Sequence, residues 1–119
     1  VDDLRLKDAS ARGMALSALN APFMEAIDII INTTSVGMEP DANSSPLDEG
    51  LIFPHHTIFD IVYRPHVTTL LRSAEKKNAR VVFGADMLLF QGARQFELWT
   101  GKRAPVEAMR SALRTVFAS

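Results

Sequence analysis

The segment 80–105 constrains the fold more than any other part of the chain, because it joins a strand pattern to a helix pattern through a glycine. A β-branched run at 81–83 meets Gly84, and a helical pattern of apolar residues follows. Gly101 stands where helices commonly end in a left-handed residue, and Pro105 can begin a further helix. Strand, glycine and helix in this order are how α/β proteins build a ligand site at the carboxyl end of a sheet.

Gln91 lies in the first turns of this predicted helix. Its side-chain amide donates and accepts hydrogen bonds at once, which suits an uncharged polar ligand. Spacing alone also allows a plain amide on the flank of a helix, and the residues by themselves leave both interpretations open. Its apolar neighbours are predicted to belong to the core: Leu88, Leu89, Phe90, Phe96 and Trp99.

Two further strands and three further helices are predicted from hydrophobic patterning. The runs 27–31 and 57–62 are rich in β-branched and aromatic residues, and an almost unbroken run such as 27–31 is typical of a parallel strand buried on both faces. Helices are predicted at 8–20, ended by Pro22, and at 68–78 and 105–117. The order of elements predicts an α/β fold with three parallel, adjacent strands.

Polar residues follow two of these strands directly. The segment N-T-T-S-V-G-M occupies 32–38, and Tyr63 follows the second strand. Backbone amides and short hydroxyls at such a place can approach a ligand closely, although a plain turn with capped backbone groups fits as well. Tyr63 is likewise either a site hydroxyl or a ring packed on a loop. Asp60 lies inside the second strand, and a buried carboxylate there needs a hydrogen-bonding partner.

Composition sets outer limits on the function. At 119 residues the chain is one domain or part of one, and it has no run of eighteen apolar residues and no signal-peptide pattern, so no membrane span is predicted. The chain contains no cysteine, which excludes a disulfide framework and predicts a cytoplasmic protein. Because His55 and His56 are adjacent and have no third ligand at a helical offset, no metal site is predicted.

Charge is unevenly distributed along the chain. Residues 1–60 carry ten acidic and three basic side chains, which gives −7, and residues 61–119 carry four acidic and ten basic ones, which gives +6. The basic residues are scattered over predicted helix faces without a cluster or interleaved aromatic residues. Solvated helix faces are therefore favoured over nucleic-acid binding.

Four blocks, in order and at matching spacing, resemble the shikimate dehydrogenase family. They are N-T-T-S-V-G-M at 32–38, D-I-V-Y-R-P at 60–65, G-A-D-M-L-L-F-Q-G at 84–92 and F-E-L-W-T-G at 96–101. The resemblance covers about residues 27–119. It implies part of a three-layer, Rossmann-like parallel sheet at 1–83, and a helical segment at 84–119 that returns toward an N-terminal substrate domain absent from this chain.

The resemblance also implies NADP as cofactor and shikimate or 3-dehydroshikimate as substrate. Tyr63 and Gln91 are the implied substrate-binding residues. The implied cofactor-binding residues are Thr33, Thr34, Ser35, Ile61, Gly84 and Met87. The family's catalytic Lys and Asp and its glycine-rich phosphate loop have no counterpart here, so no catalytic residue is assigned and the isolated chain is expected to be inactive.

Three alternatives to a shikimate dehydrogenase remain at this stage. One is an enzyme that acts on quinate as well as shikimate. Another is a non-catalytic relative that binds the same metabolites as a regulator. The third is a small α/β binding module of the flavodoxin type, against which the count of only three readable strands speaks. The open edge of a partial sheet further predicts a homodimer or a poorly stable isolated chain.

Overall fold

A computed structural model of the protein describes residues 11–118, which form a three-stranded sheet and four α-helices. The strands are β1 (Ile29–Asn32), β2 (Thr57–Asp60) and β3 (Arg80–Phe83). All are parallel in the order β1-β2-β3, which confirms the predicted α/β class and the adjacency of the three strands. Asn32 lies opposite Asp60, and Asp60 opposite Phe83, so the carboxyl ends of the strands are level.

The helices are α1 (Ala21–Glu25), α2 (Thr69–Lys76), α3 (Gly84–Thr100) and α4 (Val106–Ala118). Short 3₁₀ turns occupy Leu16–Ala18 and Glu49–Leu51. The predicted bounds of β3, α3 and α4 agree with the structure to within one or two residues. The predicted strand 57–62 and helix 68–78 are both too long, because the chain leaves the sheet after Asp60 and the helix ends at Lys76.

The core lies between β2 and α2. Ile58 at the centre of the sheet is fully buried, and so are Leu70 and Leu71 on the first turn of α2. Burying side chains of this size stabilises the fold by about 1.5–3 kcal/mol each. Thr68 begins α2 as its N-cap and accepts a hydrogen bond from the Leu71 amide at 3.2 Å. The same residues therefore anchor the helix to the sheet and fix where it starts.

The predicted helix over residues 8–20 is wrong where the structure describes it. Residues 11–20 contain only the 3₁₀ turn Leu16–Ala18, and residues 8–10 lie outside the described part of the chain. Pro22 does not end a helix but stands in the first turn of α1, where Asn20 caps the Phe23 amide at 3.0 Å. A proline is tolerated there because its missing N–H would have no partner within the helix.

The prediction that the first strand is buried on both faces is also wrong. Ile29 is 62% exposed and Ile31 52% exposed, whereas Ile30 is half-buried and Asn32 buried. Alternate side chains of a strand point to opposite faces, so one face of β1 packs on the core and the other faces outward. The apolar run nevertheless agrees with parallel strands, which normally carry cover on both faces.

The two long helices, α3 and α4, pack on each other. An added Cβ on Gly92 of α3 would lie 3.4 Å from the Met109 Cε of α4, and Arg110 of α4 bonds to Asp86 of α3 at 3.2 Å. Of the residues predicted to be core on α3, Leu89 is buried. Phe90 and Trp99 are 56% and 81% exposed, and here the prediction is wrong.

Candidate functional site at the carboxyl ends of the strands

A cavity of about 500 Å³ opens at the carboxyl ends of β1 and β2. It lies between the loops that follow these strands, as expected where parallel strands end side by side. Five of the eight predicted site residues line it: Thr33, Thr34, Ser35, Ile61 and Tyr63. Sequence reasoning did not single out the remaining lining residues, which are Met38, Glu39, Val62 and Arg64.

The loop after β1 is folded by its own side chains. The Asn32 side-chain oxygen accepts from the Thr34 amide at 3.0 Å and from the Thr34 hydroxyl at 2.7 Å. The Val36 amide donates to the Thr34 hydroxyl oxygen at 3.2 Å. Such bonds are those of a capped turn, and they leave Thr33, Thr34 and Ser35 exposed at the cavity. The capped turn therefore presents these three residues at the cavity.

The loop after β2 is held by Asp60, which is fully buried. Its carboxylate accepts from the Val62 amide at 3.0 Å, from the Asn32 side-chain amide at 3.0 Å and from the Thr68 hydroxyl at 2.7 Å. The predicted need of Asp60 for a partner is confirmed by these three donors. A backbone bond of 3.2 Å from the Glu39 amide to the Arg64 carbonyl joins the two loops beside the cavity.

Gly84 lies against the backbone at the end of β2. A Cβ built on it would come within 2.5 Å of the Ile61 carbonyl oxygen and 2.7 Å of the Val62 carbonyl oxygen. No side chain fits in that space without a backbone shift, so the start of α3 directly contacts the segment that lines the cavity. Gly84 and Ile61, both implied by the resemblance to bind the cofactor, are therefore neighbours.

Met87 and Gln91 do not line the cavity. They follow Gly84 by three and seven residues, which places all three on one face of α3. Both side chains are exposed. Gln91 is about 10 Å from Gly84 along the helix axis, at about 1.5 Å per residue.

Tyr63, which is 42% exposed, lies beside a group of stacked rings near the end of α4. Its ring lies 6.4 Å from that of Phe117 near the end of α4. His66 stacks between Phe83 and Phe117, with centroid distances of 5.0 and 5.3 Å. These contacts draw the end of α4 to the end of β3. They join positions 17 to 54 residues apart, and no local pattern in the sequence marks them.

His56 has a structural role. It is fully buried, its Nδ1 accepts from the Phe53 amide at 3.1 Å, and its Nε2 lies 2.8 Å from the Met24 carbonyl oxygen. This pair of partners requires the neutral Nε2–H tautomer. Within the part of the chain that the structure describes, no group of three His, Asp or Glu residues can hold a metal ion. None of the helices formed by residues 11–118 is long and apolar enough to cross a membrane.

Residues 84–114 match the family described as the Shikimate 5'-dehydrogenase C-terminal domain. The chain is 45% identical over 91 residues to the shikimate dehydrogenase (NADP(+)) of Moorella thermoacetica, covering 76% of this chain and 31% of that one. It is 47% identical over 108 residues to that of Natronomonas pharaonis, covering 88% of this chain and 39% of the relative. The chain thus spans about a third of the length of these relatives.

Solved structures of the same kind have a similar fold. The Thermus thermophilus shikimate 5-dehydrogenase, solved in complex with NADP(H) and shikimate, is 40% identical with a TM-score of 0.68, over 73% of this chain and 33% of that one. The quinate dehydrogenase of Corynebacterium glutamicum, solved with NAD, is 25% identical with a TM-score of 0.82, over 95% of this chain and 39% of that one.

Proposed function

We propose that this chain, which corresponds to the C-terminal part of the shikimate dehydrogenase family, belongs to an enzyme that interconverts 3-dehydroshikimate and shikimate with NADP(H). The observation that carries the proposal is the cavity at the carboxyl ends of β1 and β2, which is lined by both polar loops. Residues 1–83 then belong to the cofactor-binding domain, and residues 84–119 form the helical segment that returns toward the substrate domain.

The chemistry of the residues fits the nicotinamide end of the cofactor. The close approach of Gly84 to Ile61 leaves backbone groups, rather than side chains, at that wall, and a carboxamide needs backbone hydrogen-bonding partners. Thr33, Thr34 and Ser35 supply hydroxyl and amide groups along the cofactor's path, and Met87 supplies apolar contact near the ring. When bound, NADP⁺ supplies the hydride acceptor.

Tyr63 and Gln91 are assigned to the substrate. A hydroxylated acid such as shikimate presents groups that both donate and accept, and the Tyr hydroxyl and Gln amide can do the same. The Lys and Asp pair that the resemblance assigns to proton transfer has no counterpart in this chain. Within this chain the proposed work is therefore binding and orientation, and the acid–base pair belongs to the missing part of the enzyme. A cytoplasmic location and a homodimer belong to the same proposal.

A second candidate is a quinate dehydrogenase. The fold similarity to the Corynebacterium glutamicum enzyme extends over 95% of this chain with a TM-score of 0.82, which favours it specifically. Quinate and shikimate are both hydroxylated acids, so Tyr63 and Gln91 suit either one.

Paired substitutions in the full-length protein test the assignment of Gln91 to the substrate and of Gly84 to the cofactor. We expect Gln91→Ala to raise the KM for shikimate about threefold to tenfold, because one neutral hydrogen bond contributes about 0.5–1.5 kcal/mol. The dissociation constant for NADP should change less than about twofold. Gly84→Ala should instead weaken NADP binding, since its Cβ displaces the Ile61 carbonyl.

Gln95→Ala is the matched control for this pair. Gln95 is an exposed glutamine one turn further along α3. Its replacement should change neither the KM for shikimate nor the dissociation constant for NADP. The assignment is wrong if Gln91→Ala weakens only NADP binding, or if Gly84→Ala weakens only shikimate binding.

A further inference from the structure

A connected hydrogen-bond network lies beneath the cavity, formed by Asn32, Asp60 and Thr68. Asp60 and Thr68 are fully buried, and Asn32 is 5% exposed. Asp60 receives bonds from the Asn32 side-chain amide and from the Thr68 hydroxyl, at 3.0 and 2.7 Å. The three residues come from the end of β1, the end of β2 and the N-cap of α2, so the network joins three separate elements.

Asn32 uses its whole side-chain amide in this network. The oxygen accepts from the Thr34 amide and from the Thr34 hydroxyl, and the nitrogen donates to Asp60 and, at 3.2 Å, to the Val36 carbonyl. Two acceptor positions and two donor hydrogens are thereby all engaged. The amide cannot turn over without placing oxygen against the Asp60 carboxylate, so its orientation is fixed.

The network ends on backbone groups that shape the cavity. Through Asn32 it holds the amide of Thr34, and through Asp60 it holds the amide of Val62, which lies between Ile61 and Tyr63. Thr34, Val62 and their neighbours line both sides of the cavity. Because Asp60 is buried, it cannot touch a ligand itself and can act only through the loops that it bonds.

We infer that Asn32 and Asp60 are positioning residues that set the placement of the two cavity loops relative to each other. The bond between the two side chains links the loops in addition to two backbone bonds of 3.2 Å, from the Ile61 amide to the Asn32 carbonyl and from the Glu39 amide to the Arg64 carbonyl. The inference rests on the proposed function in one respect, namely that the ligand held between these loops is the nicotinamide end of NADP. The coupling itself depends only on the hydrogen bonds.

Hydrogen exchange in the full-length protein, with and without Asn32→Ala, tests the coupling. We expect backbone exchange to become about tenfold faster both in residues 33–38 and in residues 61–64, although the Asn32 side chain bonds directly only to the first loop and to Asp60. The bond of 3.2 Å from the Ile61 amide to the Asn32 carbonyl is a backbone bond and remains in the alanine variant. The KM for NADP should rise about tenfold. Thr68→Val should speed exchange in residues 61–64, and Thr68→Ser, which keeps the hydroxyl, should restore the wild-type pattern.

Thr69→Val is the matched control, because the adjacent Thr69 hydroxyl donates to the Ala42 carbonyl at 2.9 Å, away from the network. It should leave exchange in residues 61–64 and the KM for NADP unchanged. The inference is overturned if Asn32→Ala loosens only residues 33–38, or if it lowers the Tm while exchange and KM stay as in wild type. Should Asn32→Ala fail to fold, the Thr68 pair decides. Thr68→Val must then speed exchange in residues 33–38 as well as in residues 61–64, Thr68→Ser must restore both, and an effect confined to residues 61–64 overturns the inference. If Asn32→Ala speeds exchange in both loops but the wild-type protein does not bind NADP, the coupling is upheld and the proposed function is refuted.

Discussion

Gly101 shows how one residue ends the longest helix. It takes φ +66°, in the left-handed region, and its amide donates to the Glu97 carbonyl at 2.9 Å. A Cβ at this position would meet no atom within 4 Å, so a substitution there costs backbone conformation alone. We expect Gly101→Ala to lower the free energy of unfolding of the full-length protein by about 1 kcal/mol.

Gly101→Asn is the comparison variant for that measurement. Asparagine tolerates the left-handed region better than alanine does. Urea denaturation should therefore show a smaller loss of unfolding free energy for Gly101→Asn than for Gly101→Ala. An alanine variant as stable as wild type would show that the helix does not depend on this conformation.

Residues that follow a strand directly were the most predictable part of the site. The resemblance implies site roles for Thr33, Ile61 and Tyr63, each of which follows a strand, and the register of β1 and β2 brings the three to one cavity. The need of Asp60 for a partner was predictable from its place in an apolar run. Its partners were not predictable, since Asn32 is 28 residues away in sequence and only the register sets the pair side by side.

Helices and strands whose ends are marked by local sequence features were predicted well. The helix α3 has a glycine at each boundary, and the strand β3 precedes it as a short β-branched run. The helix predicted at 8–20 was wrong in its described part, where residues 11–20 form only the 3₁₀ turn Leu16–Ala18 and Gly13 disfavours a helix. The cap in this region is Asn20, which together with Pro22 begins α1.

Burial of elements was predicted less well than their type. The apolar residues Ile29 and Ile31 predict that both faces of β1 are covered. Phe90 and Trp99 likewise predict that their sides of α3 are packed against the core. In the structure all four side chains are exposed. Hydrophobic periodicity indicates which faces of an element pack against other parts of a fold. The chain spans only about a third of the length of its relatives. The packing partner of such a face therefore cannot be read from these residues.

For the molecule as a whole, these exposed apolar side chains predict that the isolated 119-residue chain does not behave as a stable monomer. Each 100 Å² of apolar surface left in water forgoes about 2.5 kcal/mol, and a whole small domain is stable by only about 5–15 kcal/mol. Within residues 11–118, β1 pairs only with β2, so its other edge can recruit a second strand. We expect sedimentation at low micromolar concentration to show a dimer, or thermal unfolding to be broad and non-cooperative.

The full-length protein is the control for that experiment and should unfold cooperatively. A compact monomer of the isolated chain with a sharp two-state transition would contradict the prediction, because it would mean that these residues close their own core.

The central claim is that this chain contributes ligand-binding walls to a dehydrogenase but not its acid–base chemistry. The most direct measurement is the rate of NADP⁺ reduction with shikimate, and in parallel with quinate, by the full-length protein and by the isolated chain under the same conditions. We predict turnover by the full-length protein and none by the chain, since loss of general acid–base catalysis alone costs about 10²–10⁴ in rate. Turnover by the isolated chain, or a full-length protein that oxidises neither acid, would contradict the account.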